Sequence, residues 1–384
     1  MKNMQDATKR PYQICSNCVM DTSDSKIVFD EKGVCDHCHN FYENIQPSWH
    51  TDSKGAQELE HILGAIREKG KGKKYDCVIG LSGGVDSSYL AYCAKVKWGL
   101  HPLLLAVDTG WNLQVANDNI TRLVEKLHLD LVTVHVDWDE MRDLQLSYLK
   151  AQIPDVDIQD HVIFAGLYNY AVKHKIKYVV TGANIATECI REPLEWSGMN
   201  DICMLKDIHK RYGQRSLKTI PLCGMFKYRI LYEFVLGMRR VYPLNYIPYQ
   251  KEEAIQVLEK ELGWERYANK HYENVFTRYA QGCYLIEKFG FDTRRPHLSS
   301  LILSGQMTRD EALEKLSQPP YDKETMLADH EYIAERRGIT SQELTEIIHG
   351  ENNLERKGFK NSKTLIRFVL KAASLVGFDK RNLR

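Results

Sequence analysis

The chain has no run of apolar residues approaching the ~18 that a membrane-spanning helix needs. It also lacks an excess of charge of either sign: 52 Lys and Arg stand against 51 Asp and Glu in 384 residues. The first absence excludes a helical membrane protein. The second gives no support to a broad nucleic-acid footprint, which draws on a strongly basic surface. The opening "MKNMQDATKRPYQ" is charged but has no apolar core, so no secretory signal is expected and the cytoplasm is the expected location. There is no exact internal repeat and no low-complexity segment.

What is present points to a globular protein of two or three domains, because 384 residues exceed what one core usually serves. Apolar content of 43% and charged content of 27% are ordinary for that class. Ten cysteines in a reducing compartment argue for metal or core roles over disulfides.

Four textures follow one another. Residues 1–43 are cysteine-rich and are expected to be a metal-binding module. Residues 44–74 read as a polar linker, "NIQPSWHTDSKG", and a helix in which Leu59, Ile62, Leu63 and Ile66 recur at helical spacing before Gly70. In residues 75–249, short apolar runs alternate with helical patterns. "DCVIGLS", "PLLLAVD", "DLVTVHVD" and "IKYVVTGAN" are four candidate strands, with "LKTIPLC" a candidate fifth. This alternation implies a parallel sheet covered on both faces, a doubly wound α/β domain. In such sheets ligands sit beyond the carboxyl ends of the strands. Residues 250–384 are mostly amphipathic helix, and "TRDEALEKL" and "TSQELTEII" each begin on an N-capping threonine.

"CSNC" at Cys15 and Cys18 is followed, after sixteen residues, by "CDHC" at Cys35 and Cys38. Two such pairs at this separation indicate a four-thiolate tetrahedral site. Zinc suits it in a structural role, since four protein ligands leave no open position; iron also accepts tetrahedral sulfur. The other six cysteines, 77, 93, 189, 203, 223 and 283, form no such pair. Cys77 and Cys93 read as small buried hydrophobes.

The stretch "DCVIGLSGGVDSSYLAY" is a strand, a glycine turn and a helix. Gly83 and Gly84 let the backbone approach a phosphate, and the amides at the helix start point at it with the helix dipole behind them. Ser82, Ser87 and Ser88 add hydroxyl donors, and Asp86 is placed to cap the helix or to help hold magnesium. A Walker loop would continue with a lysine, and none follows.

"SGGVDSS" matches the SGGxDS signature of the PP-loop ATP pyrophosphatases, an adenine nucleotide alpha hydrolase-like group. The resemblance implies cleavage of ATP between the α and β phosphates, with the loop gripping pyrophosphate. It also implies an adenosine contact at Asp108 in "AVDTGWN" and a second nucleotide contact at Thr181, Gly182 and Asn184 in "VVTGAN".

"CSNCVMDTSDSKIVFDEKGVCDHC", "GLSGGVDSSYL" and "VDTGWN", in that order, with "RYAQGCYLIEKFGFDTRRPHLSSLI" later, resemble the N-acetyl sugar amidotransferases of bacterial surface-polysaccharide synthesis. That resemblance implies conversion of an N-acetyl group to an acetamidino group, on an O-antigen sugar nucleotide or a nonulosonic acid. The implied cofactors are ATP, Mg2+ and structural Zn2+. Ammonia would come from a separate glutaminase and a barrel subunit similar to imidazole glycerol phosphate synthase. The chain fits such an arrangement, because residue 2 is Lys and "PLCGM" and "QGCYL" are not nucleophile elbows. Lys227 and Arg211 are the candidates for stabilising the α phosphate. Glu188, Arg191, Lys206, His209 and Arg229 are candidates for nucleotide or sugar contact.

Other readings are a tRNA thiolase, another amide-forming ligase of the same superfamily, and a non-catalytic nucleotide-binding subunit. No cysteine pair follows the loop to carry sulfur, and Ser82, Asp86 and Asp108 are intact.

Overall fold

The computed structural model describes residues 10–196, 201–267 and 272–362. Residues 1–9 of the charged opening and 363–384 of the expected helical region lie outside these.

A short helix α1 (Asp36–Asn40) closes the cysteine-rich segment, and α2 (Ser53–Gly70) follows. Then come β1 (Cys77–Gly80), α3 (Val85–Tyr92), β2 (Pro102–Asp108), α4 (Gln114–Leu127), β3 (Leu131–His135), α5 (Trp138–Ala151), α6 (Gln159–Lys173) and β4 (Tyr178–Val180). After α7 (Ile185–Glu188), α8 (Ile202–Tyr212) and a π-helical turn at Lys227–Val235, β5 (Arg239–Val241) ends the sheet. The helices α9 (Lys251–Leu262), α10 (Val275–Tyr279), α11 (Leu285–Phe289), α12 (Arg294–Leu303), α13 (Arg309–Ser317), α14 (Lys323–Arg337) and α15 (Ser341–His349) complete it. Among the described residues no helix is long and apolar enough to cross a membrane.

All pairings in the five-stranded sheet are parallel, in the order β3-β2-β1-β4-β5. The period-two alternation of a strand sorts its side chains onto two faces. Cys77, Ile79 and Leu104 pack with Leu63 of α2, Leu90 of α3, Leu123 of α4 and Leu258 of α9. Val78, Leu103 and Leu105 pack with Ala165 and Tyr168 of α6 and with Tyr232 of the π-helical turn. Both faces are therefore covered, as the unbroken apolar runs of β1 and β2 require. The strand order reverses at β1, where the chain turns from β2 and β3 on one side to β4 on the other.

The four strands read from the sequence are β1 to β4. The fifth is corrected. "LKTIPLC" is not a strand, because the amides of Lys218, Thr219 and Ile220 all donate to the Glu140 carboxylate, at 2.9–3.1 Å for Oε2. Amides spent on a carboxylate cannot join a ladder, and Pro221 offers none. The fifth strand is instead Arg239–Val241, paired to β4.

The 44–55 segment is anchored, with Trp49 packed against Phe41 at 6.4 Å between ring centroids. Thr308 and Thr340 do cap α13 and α15, each in a reciprocal capping box with Glu311 and Glu343. The C-terminal helices also carry a buried cation. The Lys288 ammonium donates to the carbonyls of Ile347 and Glu351 at 2.6 and 2.8 Å, and burial pulls its pKa down to about 8.

Candidate functional site

The four cysteines form one cluster. Their sulfurs all lie within 4.8 Å of one another, with Cys18–Cys35, Cys35–Cys38 and Cys15–Cys38 at 3.6, 3.7 and 3.8 Å. A tetrahedral Zn–S bond of about 2.3 Å gives sulfur–sulfur edges of about 3.8 Å, so the donor set fits zinc. The amide of Cys35 donates to Cys15 Sγ at 3.2 Å, and Asn17 Nδ2 donates to Cys38 Sγ at 3.3 Å. Such donors offset thiolate charge and fix ligand orientation. His37 is turned away to Asp24, 2.8 Å from its carboxylate, and His39 to Asp30, so neither joins the sulfurs.

The module is clamped to α12 and α13. Arg309 donates to the carbonyls of Cys15 and Cys18, Val19 N donates to Ser299 Oγ at 3.1 Å, and Arg295 pairs with Asp21 at 3.0 Å.

The glycine turn lies beyond the carboxyl end of β1. Gly83 has φ +82, and a Cβ there would lie 2.7 Å from the Ala116 carbonyl oxygen, so no other residue fits. Gly84 is the N-cap of α3. Within the turn, Gly84 N donates to Ser82 Oγ, and the Ser82 and Ser87 hydroxyls stand 3.2 Å apart.

Four remote residues hold the turn. Trp264 Nε1 donates to the Gly83 carbonyl at 3.2 Å, the Tyr249 hydroxyl donates to Asp86 Oδ1, and the Glu273 carboxylate and Tyr267 hydroxyl stand over Gly84. The loop after β4 presses on the same helix start, since a Cβ on Gly182 would lie 2.7 Å from the Asp86 carbonyl carbon.

Ser82, Gly84, Asp86, Ser87, Thr181 and Gly182 line one cavity of about 900 Å³. It opens between the carboxyl ends of β1 and β4, where the strand order reverses and open α/β sheets bind ligands. Part of its wall is acidic, with Asp157, Asp160, Glu192 and Glu273. Burial holds the Asp157 carboxyl above its usual range. Burial, with repulsion from Asp157, Glu192 and Glu273, pushes Asp160 well above it. His161, on the same wall, is pulled down to about 4 by burial and is neutral at pH 7.

Several sequence candidates fall elsewhere. The Ser88 hydroxyl is buried under the turn and does not line the cavity. Asp108 ends β2, off the cavity wall, with its carboxylate accepting from Gly110 N at 2.8 Å and 3.3 Å from His135. Its neighbours join α6 and the C-terminal helices: Thr109 donates to Gln159 of α6 at 2.6 Å, Trp111 is buried against Phe276, and Asn112 bridges to Asn274. Asn184 caps α7 by accepting from Thr187 N at 3.0 Å.

Lys227 and Arg211, the candidates for the α phosphate, lie away from this cavity. Lys227 donates to Asn169 at 3.1 Å on the far side of α6, and Arg211 pairs with Asp207 at 2.7 Å and stacks on Phe359. Neither lines the cavity. Lys206 and Arg229 are also outside it, and His209 pairs with Asp143 at 2.9 Å. Tyr249, Trp264 and Glu273 were not singled out from the sequence. Tyr249 is the last residue of what reads as the α/β domain, Trp264 and Glu273 lie in what reads as a separate helical region, and the short "LGWERY" at the end of α9 has no local pattern to flag it.

A second cavity of about 1230 Å³ adjoins the first. It runs between the four-cysteine module, the chain after β4, and α12 and α13. Glu188, Glu192, Lys251 and Lys315 belong to both cavities.

Comparison with known proteins adds three findings. A family described as "LPS biosynthesis protein WbpG-like, C-terminal domain" matches residues 273–372. An uncharacterised protein of Methanocaldococcus jannaschii is 21% identical over 319 residues, covering 81% of this chain and 95% of its own. Solved structures of an NMN synthetase from Francisella tularensis and an NH3-dependent NAD synthetase from Campylobacter jejuni are 14% and 15% identical. They cover 57% and 78% of this chain, and 99% and 98% of their own, with TM-scores of 0.27 and 0.30. The WbpG-like segment begins at Glu273, over Gly84, and includes α12 and α13, which carry the cysteine module.

Proposed function

We propose that the chain is an ATP-dependent amidotransferase of surface-polysaccharide synthesis. It activates the N-acetyl group of a sugar as its adenylate and exchanges the oxygen for ammonia. The observation that carries this reading is the cavity at the reversal of strand order, walled by Ser82, Gly84, Asp86 and Ser87 and by Thr181 and Gly182. The match of residues 273–372 to a lipopolysaccharide-biosynthesis family supports the choice of a sugar acceptor.

The chemistry runs in two balanced steps. The acetamido oxygen attacks the α phosphorus of ATP, the bond to the β phosphate oxygen breaks, and pyrophosphate leaves. Ammonia then adds to the imidate carbon and loses a proton, and AMP departs with the carbon–oxygen electron pair, leaving an acetamidino group. An amide carbon is a poor electrophile, and adenylylation makes its oxygen a good leaving group.

The amides of the glycine turn bind the departing pyrophosphate, with the dipole of α3 behind them. Asp86, at the start of α3, would help hold magnesium, which would supply charge neutralisation there. The acidic wall takes up the proton that ammonia loses and holds the cationic amidine. The enclosed cavity keeps water from the imidate, which would return the amide. Ammonia comes from a separate glutaminase and barrel subunit. The six remaining cysteines offer no pair at the cavity, so sulfur transfer has no carrier.

The test is incubation with ATP, magnesium, ammonium and a panel of N-acetylated sugar nucleotides and nonulosonic acids. AMP and pyrophosphate appear only with the right acceptor, whose mass falls by about one unit as NH replaces O. Release of ADP, or turnover triggered by tRNA and by no sugar, overturns the reading.

A further inference from the structure

The amide-activation reading leaves open where the acceptor binds and why a metal module sits ahead of an ATP domain. Three observations bear on both questions. First, the second cavity, about 1230 Å³, exceeds the roughly 300–1,000 Å³ typical of small-ligand sites and suits an elongated ligand. Second, it meets the first cavity at a common wall that includes Glu188, Lys251 and Gln281. A group lying in the second cavity thus reaches the end of the first, where the phosphates of ATP would lie.

Third, one side of the second cavity is the cysteine module itself. Lys26 and His37 face it from the module, while Lys315 of α13 and Arg191 face it from the helical side and the chain after β4. The acids of the module that line it are held locally, Asp24 by His37 at 2.8 Å, Asp36 by Val28 N at 3.3 Å and Glu43 by His39 at 3.6 Å. On the chain after β4, Glu195 accepts from Ser25 N at 2.7 Å, and Glu188 and Glu192 stand at the wall common to both cavities. The ammonium groups of Lys26 and Lys315 form no ion pair and donate no hydrogen bond among the described residues. Two lysines from segments almost 290 residues apart therefore offer positive charge to the same space.

That wall stands only if the module is folded. Residues 15–38 contribute few large apolar groups, and a four-thiolate knuckle of this kind depends on its metal. Arg309, Arg295 and Ser299 grip the module through the carbonyls of Cys15, Cys18 and Val19 and through Asp21 and Val19 N. The same helices, α12 and α13, supply the opposite side of the cavity.

We infer that the second cavity is the acceptor chamber and that the four-cysteine module is one of its walls, so that metal binding is coupled to acceptor binding and not to ATP. The acceptor carries its negative charge, as a diphosphate, toward Lys26 and Lys315 and presents its acetamido group at the shared wall. The identity of this ligand rests on the amide-activation reading; the placement of the chamber does not.

The probes are UDP-N-acetylglucosamine and free N-acetylglucosamine, titrated calorimetrically into the full chain, with ATP titrated in parallel. The UDP-sugar binds wild type at least tenfold tighter than the free sugar. Lys26→Glu, an exposed substitution that lines the second cavity and not the first, weakens the UDP-sugar at least tenfold and changes ATP affinity less than twofold, and Lys315→Glu, on the wall common to both cavities, also weakens the UDP-sugar at least tenfold. Stripping the metal with a chelator weakens the UDP-sugar and spares ATP.

Equal binding of the two sugars, no binding of the UDP-sugar by wild type, or a Lys26→Glu variant that weakens ATP as much as the UDP-sugar would overturn the inference. Its failure is separable from that of the amide-activation reading. If only the chamber is wrong, AMP forms with an acceptor whose KM ignores both lysines. If only the amide chemistry is wrong, the UDP-sugar binds, both variants weaken it, and no AMP forms.

Discussion

In the four-cysteine module, the four sulfurs and, among the described residues, the amide hydrogen bonds to them come from Cys15–Cys38, while Phe41, Ile190 and Leu303 only pack around them. In the phosphate turn the local residues supply only the amides and hydroxyls. Its position is set by Tyr249, Trp264 and Glu273, more than 160 residues downstream, and by Gly182 pressing on the start of α3. A metal organises its ligands by bond energy and tolerates a short, self-contained motif. A phosphate loop works by placing weak donors accurately, so it must be braced by packing from elsewhere. The two motifs are equally short, and they should fail in different ways.

The largest effect is expected at the self-contained motif. Cys15→Ser removes one of four ligands from a site of the kind worth roughly 10–16 kcal/mol of apparent binding energy to small zinc domains. The protein should lose its metal equivalent, measured by elemental analysis, and residues 10–43 should become open to limited proteolysis. Because α12 and α13 grip the module only at its rim, the sheet should still melt cooperatively. Loss of ATP binding together with the metal would show that the two motifs are not independent.

Gly182→Ala tests the bracing of the loop. The added carbon meets backbone atoms of Asp86 at 2.7–2.8 Å, and backbone cannot swing aside as a side chain can. Overpacking of this kind costs on the order of 1–3 kcal/mol of stability. A shift of the α3 start by about an ångström should lower AMP formation about a hundredfold. Metal content should not change. A variant with near-normal AMP formation would show that the β4 loop does not position the turn.

A smaller effect separates the two regions by pH. His161 lies on the cavity wall, accepts from Cys223 N at 3.4 Å, and has its pKa lowered by burial from 6.5 to about 4. The folded state therefore disfavours its protonation. Its contribution to stability is fully present above pH 6.5 and is lost as the pH falls toward 4, about 3 kcal/mol in all. Denaturant unfolding at pH 7.5 and pH 5 should show this loss, and His161→Gln should reduce it. An unchanged pH dependence in the variant would show that His161 does not control it.

Much of this was legible in the sequence, for reasons that particular residues make plain. The cysteine pairs and "SGGVDSS" are short-range patterns whose chemistry is local, β1 and β2 announce themselves as apolar runs buried on both faces, and β3 and β4 as β-branched runs. β5 did not, because it is three residues long and begins with two exposed arginines. "LKTIPLC" misled because it has a strand's alternation, while the partner that captures its amides, Glu140, lies about 80 residues earlier. The bracing of the loop was illegible for the same reason. Nothing near Trp264 reveals that its indole reaches Gly83.

The smallest expected effect is the most direct check on that last point. Lys227 and Arg211 are positively charged and lie in the α/β domain, which made them reasonable partners for an α phosphate. The fold spends both elsewhere. Lys227 donates to Asn169 and lies over the Tyr232 ring, behind α6, and Arg211 is bound to Asp207 and the Gly358 carbonyl. Exposed ion pairs such as Arg211–Asp207 contribute about 0–1 kcal/mol. Alanine at either position should therefore leave AMP formation within twofold of wild type and barely move the melting temperature. A hundredfold loss of AMP formation in either variant, with the fold intact, would mean that the segments carrying these side chains move to the cavity when ATP and acceptor bind. The phosphate loop would then be braced on a third side, by a rearrangement that the rigid cysteine module has no means to make.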